Sequence, residues 1–405
     1  MKGSRQLVAL GFMALLAAGA GWTRPAGALS TSDRPAGVLV WPKVVVDTSG
    51  QFGSPTDTRI DIASTYDQGI RQAHCFYVNA TSHCSNTGAA CRTSRDCDGG
   101  ECVPSWSEID FDIFITQEQP VEWYASEGLA GSDFPLTAGT CSGGTRDTRP
   151  CVSNAQCPGG TCSFQNSNIG SSIPPVPEDP FIGSLTCIQF TGGSNSQPDQ
   201  TTARNRLIGG ATIVRNNGGS ADPARYNAVA LTALGNPVSG NTLVLQDGTG
   251  NYSSCPNTLI LSHIFDGAMD PVRNNVGETY QTELTLVPCS NDFQTQRPGL
   301  SVAQFLVFNE FEQRFSTSRT VDCLLDTPLS LIDTRNPARS IFSAGVAGSI
   351  AGQTRIRGVG GRDELGSGLL GVARAEIRNL TPGPSSAAYQ LHQQGNSRTD
   401  LIILP

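Results

Sequence analysis

Short runs in which apolar and polar residues alternate cover most of the chain after residue 38. In residues 108–116, Ile109, Phe111, Ile113 and Ile115 fall on one face of the run, and this period of two is typical of a half-buried β-strand. Six more runs in the first half have the same character, at 38–46, 58–64, 73–79, 121–125, 183–190 and 206–214. Seven short strands separated by turn residues predict an immunoglobulin-like antiparallel β-sandwich.

The second half predicts another sandwich of the same class. Its runs lie at 258–265, 282–287, 302–308, 315–324, 341–346, 353–359 and 369–377, and a last strand is expected at 400–404 after a Pro-, Gly- and Gln-rich tail at 381–396. Two runs match earlier ones in pattern: TELTL at 282–286 matches TRIDI at 58–62, and FLVFN at 305–309 matches CFYVN at 75–79. We therefore expect an all-β protein of two tandem immunoglobulin-like antiparallel β-sandwich domains, residues 36–250 and 251–405, related by a divergent duplication.

The composition agrees with this fold class. The 405 residues include 45 Gly and 25 Pro, and only 15% are charged, a mixture that suits turn-rich β structure. A coiled coil or a wholly disordered chain is excluded on the same grounds.

The thirteen cysteines change the picture, because eight of them form two related clusters. Cys91-RTSRD-Cys97-DGGE-Cys102 matches Cys151-VSNAQ-Cys157-PGGT-Cys162, and each cluster has one earlier cysteine, Cys84 or Cys141. We interpret residues 84–102 and 141–162 as duplicated, disulfide-rich inserts in the first domain. Four cysteines allow three pairings, and the sequence does not choose among them.

Metal binding is the alternative for these inserts. Four cysteines can hold zinc, but zinc sites usually place two to four residues between paired ligands, and only the last pair of each cluster is that close. The run from Asp96 to Glu101 resembles part of a calcium loop, yet the second copy has Gln156 and Pro158 where the first has Asp96 and Asp98. His74 and His83 each precede a cysteine, and we interpret them as a strand and a loop histidine. No cofactor is expected.

The remaining five cysteines leave one without a partner in the chain. Cys75 and Cys187 lie in strand-like runs of one domain, which predicts a bond between strands, while Cys255 and Cys289 bracket an expected hairpin. Cys323 is then the free thiol.

Both inserts are expected at the same end of the first sandwich. One follows the third strand and the other follows the fifth, and strands reverse direction at each step of an antiparallel fold. This expectation requires a turn at residues 117–119.

The first 28 residues have the features of a secretory signal peptide. Lys2 and Arg5 precede an apolar run at 7–21, and a small-residue site precedes Leu29. Cleavage there removes three basic residues and no acid, so the net charge moves from −8 to −11. We expect a secreted protein, at the cell surface, in the periplasm or outside a bacterium. Its mature chain would not insert into membranes, and nucleic acid is not an expected partner.

The best candidate for catalysis is a row of acids. Glu108, Asp110 and Asp112 share one face of a predicted strand, and neighbours on such a face lie about 7 Å apart, within the separations that glycosidases use. Trp106 and Trp123 flank the strand and could stack on sugars. A solvated acidic strand face is the simpler interpretation, and common hydrolase, kinase and nucleotide-binding motifs are absent from the sequence.

Several runs carry a resemblance. HCFYVNA (74–80), SEIDFDIFITQEQPVEW (107–123), VPCSNDF (287–293), VAQFLVFNEFEQRFSTS (302–318) and SGLLGV (367–372) resemble a family of uncharacterised exported bacterial proteins with immunoglobulin-like strands and short C-x5-C-x4-C inserts. The resemblance covers most of the mature chain and implies the fold and export, with no catalytic residue.

Three functions follow as hypotheses. The first is a non-catalytic binding or structural protein that meets an unknown extracellular protein or glycan through its loops and inserts. The alternative is an extracellular glycan-directed hydrolase that uses Glu108, Asp110 or Asp112. A surface protein that binds divalent metal is the third.

Overall fold

The computed structural model describes residues 34–65, 71–115, 120–130, 139–151, 154–163, 172–190, 204–238, 240–269, 277–361, 365–380 and 385–405. These residues are almost entirely β-strands and turns, so the predicted all-β class is confirmed. The predicted signal peptide, the turn expected at 117–119 and parts of the second insert lie outside the described residues.

The first sandwich contains nine strands: β1 Val38–Val46, β2 Thr56–Ser64, β3 Arg71–Asn79, β4 Ser107–Ile115, β5 Pro120–Tyr124, β6 Phe181–Phe190, β7 Leu207–Asn217, β8 Ser220–Asn227 and β9 Val229–Leu231. They form two antiparallel sheets with the orders β9-β1-β6-β3-β4 and β8-β7-β2-β5. Strand β2 alternates strictly between buried and half-buried positions, as its sequence pattern predicts.

The second sandwich repeats this arrangement with strands β10 Thr258–Ile264, β11 Thr279–Pro288, β12 Leu300–Asn309, β13 Arg314–Asp322, β14 Leu325–Pro328, β15 Ala351–Val359, β16 Leu369–Arg378, β17 Ser385–Gln390 and β18 His392–Gln394. Its sheets have the orders β18-β10-β15-β12-β13 and β17-β16-β11-β14. Each strand has the same neighbours as the strand nine positions earlier. The two sandwiches therefore share one topology, which supports the expected duplication.

The strand order is not the immunoglobulin order. In an immunoglobulin domain the first strand is hydrogen-bonded to the second. Here β1 lies between β6 and β9, and β2 belongs to the opposite sheet. The sequence pattern identifies strands and their buried faces, but it carries no information on which strands become neighbours.

Short elements complete the chain. Small strands lie in the first insert at Ser82–Cys84, Ala90–Cys91 and Cys102–Val103, and in the second at Gly139–Ser142, Pro150–Cys151 and Thr161–Ser163. Single 3-10 turns lie at Ser94–Asp96, Asn154–Gln156, Leu329–Leu331 and Pro337–Arg339, and the helix α1 spans Ala344–Ala347.

Two predictions in the second half were wrong. Residues 341–346 enter helix α1 instead of a strand, because the alternation there is interrupted by Gly345 and small side chains. The tail at 381–396 contains the strands β17 and β18. The SSAAYQ segment has too few apolar residues for its sequence to predict an edge strand. It forms a strand because it pairs with β16.

Each sandwich has its own core, and a third apolar cluster joins them. The joining cluster covers the outer face of the β9-β1-β6-β3-β4 sheet and contains residues of both halves. Phe76 of β3 stacks on Phe293 at 4.1 Å between ring centroids. A small sheet of Thr242–Leu245, Asp400–Ile403 and Asn291–Asp292 forms the covering layer, and the predicted boundary at residue 250 follows the first of these strands.

Charged side chains from both sandwiches meet in a buried ionic network. Lys43 Nζ lies 2.5 Å from Asp326 Oδ1, and Arg215 makes two contacts of 2.8 and 3.0 Å with the carboxylate of Glu283. Arg374, with 1% of its side chain exposed, contacts Asp222 at 2.9 Å. The network thus ties β1, β7 and β8 to β11, β14 and β16.

Glu283 lies at the centre of the network. Burial alone would raise the pKa of Glu283, but the positive charges of Lys43, Arg215 and Arg374 outweigh burial and hold that pKa below its usual range. Glu283 is therefore ionised and paired, as a buried carboxylate must be if it is not to destabilise the fold.

The substitution Lys43→Ala should lower the free energy of unfolding by about 3–5 kcal/mol, because it leaves the buried Asp326 without its ion-pair partner and removes one of three positive charges around Glu283. Urea denaturation measures the change. The control is Arg59→Ala, which breaks an exposed pair with Glu122 and should cost less than about 1 kcal/mol. Equal, small effects of the two substitutions would contradict a stabilising role for the network.

The structure pairs Cys75 with Cys187 and Cys255 with Cys289 and leaves Cys323 as a buried free thiol. Burial raises the pKa of the Cys323 thiol, and thiols react as thiolates. We expect titration with a thiol reagent to find no reactive thiol in the native protein and one per chain in denaturant. Immediate reaction of the native protein with the thiol reagent would contradict the burial of Cys323.

Candidate functional site

Both inserts leave the same end of the first sandwich. The first connects Asn79 at the end of β3 to Ser107, which pairs with it. The second connects Tyr124 at the end of β5 to Phe181, and Phe181 pairs with Val46 at the end of β1. Since β2 follows β1 through a short turn and begins beside the end of β5, all these connections lie together. We call this end of the molecule the insert end.

The two inserts share one internal structure. Cys84 bonds to Cys97 and Cys91 to Cys102 in the first insert, and Cys141 bonds to Cys157 and Cys151 to Cys162 in the second. Both therefore pair the first cysteine with the third and the second with the fourth. In the described part of each insert, the four cysteines form the apolar cluster, and Cys102 is the member that is only partly buried.

The hydrogen bonds repeat as well. The N–H of Cys102 donates to Ser94 Oγ at 3.2 Å, and the N–H of Cys162 donates to Asn154 Oδ1 at 2.7 Å. Gly99 and Gly159 have φ of 82° and 78°, a conformation that favours glycine. The Gly-Gly pairs thus serve the same tight turn, and the two inserts are copies of one unit.

The metal alternatives for the inserts lose their ligands in this arrangement. The eight sulfurs are bonded in pairs, so they are not available as thiolates for zinc. Asp96, the residue that resembles a calcium ligand, accepts hydrogen bonds from the N–H groups of Arg92 and Thr93 at 2.9 and 2.8 Å. Asp96 therefore caps a 3-10 turn of the first insert.

His83 fastens the first insert to the segment that returns from the second. Its Nε2 lies 2.8 Å from Glu178 Oε2, and its Nδ1 lies 3.0 Å from Ser105 Oγ. The hydrogen-bonded side chains of Ser105, His83 and Glu178 are of the types that form a hydrolase triad, but the Ser105 hydroxyl donates to the carbonyl of Thr81. The imidazole therefore donates to Ser105 instead of accepting its proton, and His83 links the start of the first insert to the segment at 172–180.

A polar cleft lies where the insert end meets the second sandwich. Its volume is about 190 Å³, and Arg92 of the first insert lines it together with Phe52 and Asp47 of the β1–β2 turn. The Arg92 guanidinium lies 5.0 Å from the centre of the Phe52 ring. The opposite wall carries members of the ionic network and their neighbours: Lys43, Arg215, Glu283, Glu376 and Arg378. Both signs of charge therefore face the cleft.

The predicted acids lie elsewhere, on the outer face of β4. Glu108, Asp110 and Asp112 share this face while Phe111, Ile113 and Ile115 are buried on the other, as the alternation predicts. Burial raises the pKa of Glu108 to about 7, with a further contribution from the Asp110 carboxylate. None of the three acids lines the cleft.

The two tryptophans do not form a sugar platform with these acids. Trp123 is buried in the core of the first sandwich, where its Nε1 donates to the hydroxyl of Tyr77 at 2.6 Å. Trp106 is partly buried against the cluster that joins the sandwiches. Neither tryptophan therefore lies on the exposed face of β4 beside the acids.

Sequence reasoning missed His74 as part of this acidic group. His74 lies on β3 directly opposite Asp112, and both of its ring nitrogens are close to aspartates. The signal was present in the pattern, because Gln72, His74 and Phe76 alternate with the inward-facing Ala73 and Cys75. Pairing of the third and fourth strands would have placed this histidine among the acids.

In comparisons with known proteins, no family model matches the chain and no curated protein matches it at a significant level. Within the described residues, no helix has the length and apolar character to cross a membrane.

The double substitution Cys91→Ser/Cys102→Ser should unfold the first insert and leave the sandwiches folded, because the insert has little apolar surface other than its disulfides. Limited proteolysis with mass spectrometry should find new cleavage sites confined to residues 84–102. The matched control, Cys75→Ala/Cys187→Ala, opens a bond that spans 112 residues in the core and should destabilise the sandwich by about 4–5 kcal/mol. Cleavage spread over both sandwiches in the first variant would contradict the prediction.

Proposed function

We propose that the protein is a secreted or cell-surface binding protein, without catalytic activity, that engages an extracellular protein or glycan through its insert end. The observation that carries the proposal is the convergence of both inserts, the β1–β2 turn and the cleft on one end of the molecule. Loops that a rigid scaffold gathers at one end are a common means of recognition.

The size of the cleft supports a macromolecular partner. Pockets for free small molecules usually measure about 300–1,000 Å³, and this cleft measures about 190 Å³. A single side chain or sugar unit of a larger partner would fit it, with the inserts contacting the surroundings. The mixed charges of Asp47, Arg92 and Arg378 favour a polar group.

The rigidity of the insert end also supports binding. The inserts are held by four of the six disulfides described in the chain, and His83 links the first insert to the segment at 172–180 through Glu178. A preformed surface loses little conformational entropy on association. Six disulfides also favour an oxidising compartment, in agreement with the proposed secretion, and the acidic net charge argues against nucleic acid.

Glycan hydrolysis is the second candidate, and one observation favours it. Glu108 has a pKa of about 7 beside Asp110, and a protonated carboxyl next to an ionised one is the pair that glycosidases use. The binding proposal has more support, because the cleft is not lined by these acids and the Asp112 carboxylate is hydrogen-bonded to His74.

The binding proposal is tested with the mature, oxidised protein on a glycan array and against extracellular protein fractions, followed by titration of each ligand found. Arg92→Glu should weaken binding at least tenfold, because it reverses a charge at the mouth of the cleft.

The matched control is Arg319→Glu, an exposed arginine on β13 that does not line the cleft and should change the affinity less than twofold. A ligand that binds both variants equally well, or glycan cleavage that Glu108→Gln abolishes, would overturn the proposal.

A further inference from the structure

His74 lies between two aspartates of the neighbouring strand. Its Nδ1 is 2.7 Å from Asp112 Oδ1, and its Nε2 is 3.3 Å from Asp110 Oδ2. Only 3% of the His74 side chain is exposed, and the ring packs edge-on against Phe76 and Phe190. The imidazole is therefore fixed in place, with both nitrogens directed at carboxylates.

The two contacts are not equivalent. Nδ1 lies within hydrogen-bonding distance of Asp112 and donates to its carboxylate. Nε2 is buried and makes no hydrogen bond, and it faces Asp110 Oδ2 at 3.3 Å. An imidazole nitrogen and a carboxylate oxygen that face each other at this distance are two ligand atoms of the kind that a cation of the zinc class binds.

We propose that His74, Asp110 and Glu108 form a binding site for a divalent cation of the zinc class. Bonds of about 2.0–2.2 Å from zinc to nitrogen and oxygen, at a tetrahedral angle, separate the two ligand atoms by about 3.3–3.6 Å. The separation of Nε2 and Oδ2 is 3.3 Å, so both atoms can bind one ion without a change in the backbone.

Asp112 acts as a positioning residue in this site. Histidines that bind metals usually donate their other ring N–H to a carboxylate, which fixes the tautomer and the ring orientation. The 2.7 Å contact from Nδ1 to Asp112 supplies that interaction. The arrangement is independent of the cleft and of the insert disulfides.

Glu108 supplies the third ligand. It lies two residues before Asp110 on the same face of β4, and its Oε2 is buried without a hydrogen-bond partner. Among the described residues, the sets of three ligand atoms that already lie within 4.8 Å of one another all contain cysteine. Glu108 would therefore bind the ion after a rotation of its side chain. Asp110 is 55% exposed, which gives the ion access from solvent and leaves a coordination position for water.

The donor set distinguishes the metal. Calcium and magnesium take oxygen ligands almost exclusively, whereas imidazole with carboxylates suits zinc and its transition-metal neighbours. We expect the oxidised mature protein, freed of metal with EDTA, to bind one Zn²⁺ per chain in isothermal titration calorimetry, and to bind Ca²⁺ at least 100-fold more weakly.

Variants at exposed positions test the ligands without disturbing the core. Asp110→Asn should weaken Zn²⁺ binding at least 100-fold, and Asp112→Asn should weaken it 10- to 100-fold, the usual effect of removing a positioning carboxylate. The matched control is Glu122→Gln, an exposed acid on β5 that should bind Zn²⁺ within twofold of the wild type. Circular dichroism and thermal unfolding verify that each variant folds.

Nitrogen-15 NMR of the histidine rings supplies a second readout. Zn²⁺ should shift the His74 Nε2 resonance and leave Nδ1 protonated. Absence of Zn²⁺ binding, equal binding by wild type and Asp110→Asn, or a His74 ring with protons on both nitrogens in the presence of Zn²⁺ would overturn the proposal.

Discussion

Four strands of the five-stranded sheet of the first sandwich, β9, β1, β6 and β3, are buried on both faces, and the rest of the molecule depends on this constraint. Its inner face forms the core of the first sandwich, while its outer face carries Val38, Phe76 and Ile188, which are also fully buried. Apolar surface on this scale must be covered, since each side chain of this size contributes about 1.5–3 kcal/mol when buried. The cover comes from the linker after β9, from the Cys255–Cys289 disulfide with Phe293, and from the strand Asp400–Ile403. The two sandwiches are therefore parts of one packed body.

The charged network follows from the same packing. A register shift in β1 between Trp41 and Val44 accompanies the burial of Lys43 beside Asp326 and Glu283 of the second sandwich, and such irregularities redirect a side chain. The outer members of this network, together with Arg92 of the first insert, form the walls of the cleft. Stability and the proposed recognition surface thus share residues. Changes at Lys43 or Glu283 are expected to affect both, whereas Arg92 lies far enough out to affect binding alone.

Much of the architecture could be predicted from the sequence, because strands with one buried face have a period of two. The positions of β1 to β7 and the cysteine pairs in the strands followed from that pattern and from chain order. The neighbours of each strand could not be predicted, since alternation identifies the buried face of a strand and not the strands that pair with it. An immunoglobulin-like sandwich was expected, and the strand order found differs from that of an immunoglobulin domain. The candidate sites depended still more on partners. His74 was interpreted as an ordinary strand histidine because its aspartates lie 36 and 38 residues away in the sequence, and Lys43 gave no indication of its role because its carboxylates belong to the other sandwich.

The strand Asp400–Ile403 has a consequence for how this chain folds. It pairs with Thr242–Leu245 in the layer that covers the first sandwich, so this layer is complete only when a strand from far along the sequence is in place. Because synthesis proceeds from the N-terminus, the first sandwich forms with part of its apolar outer sheet face still open. Loss of residues 400–405 would leave a folded first sandwich with part of its apolar outer face exposed. Such a form is prone to self-association and to removal by quality-control proteases.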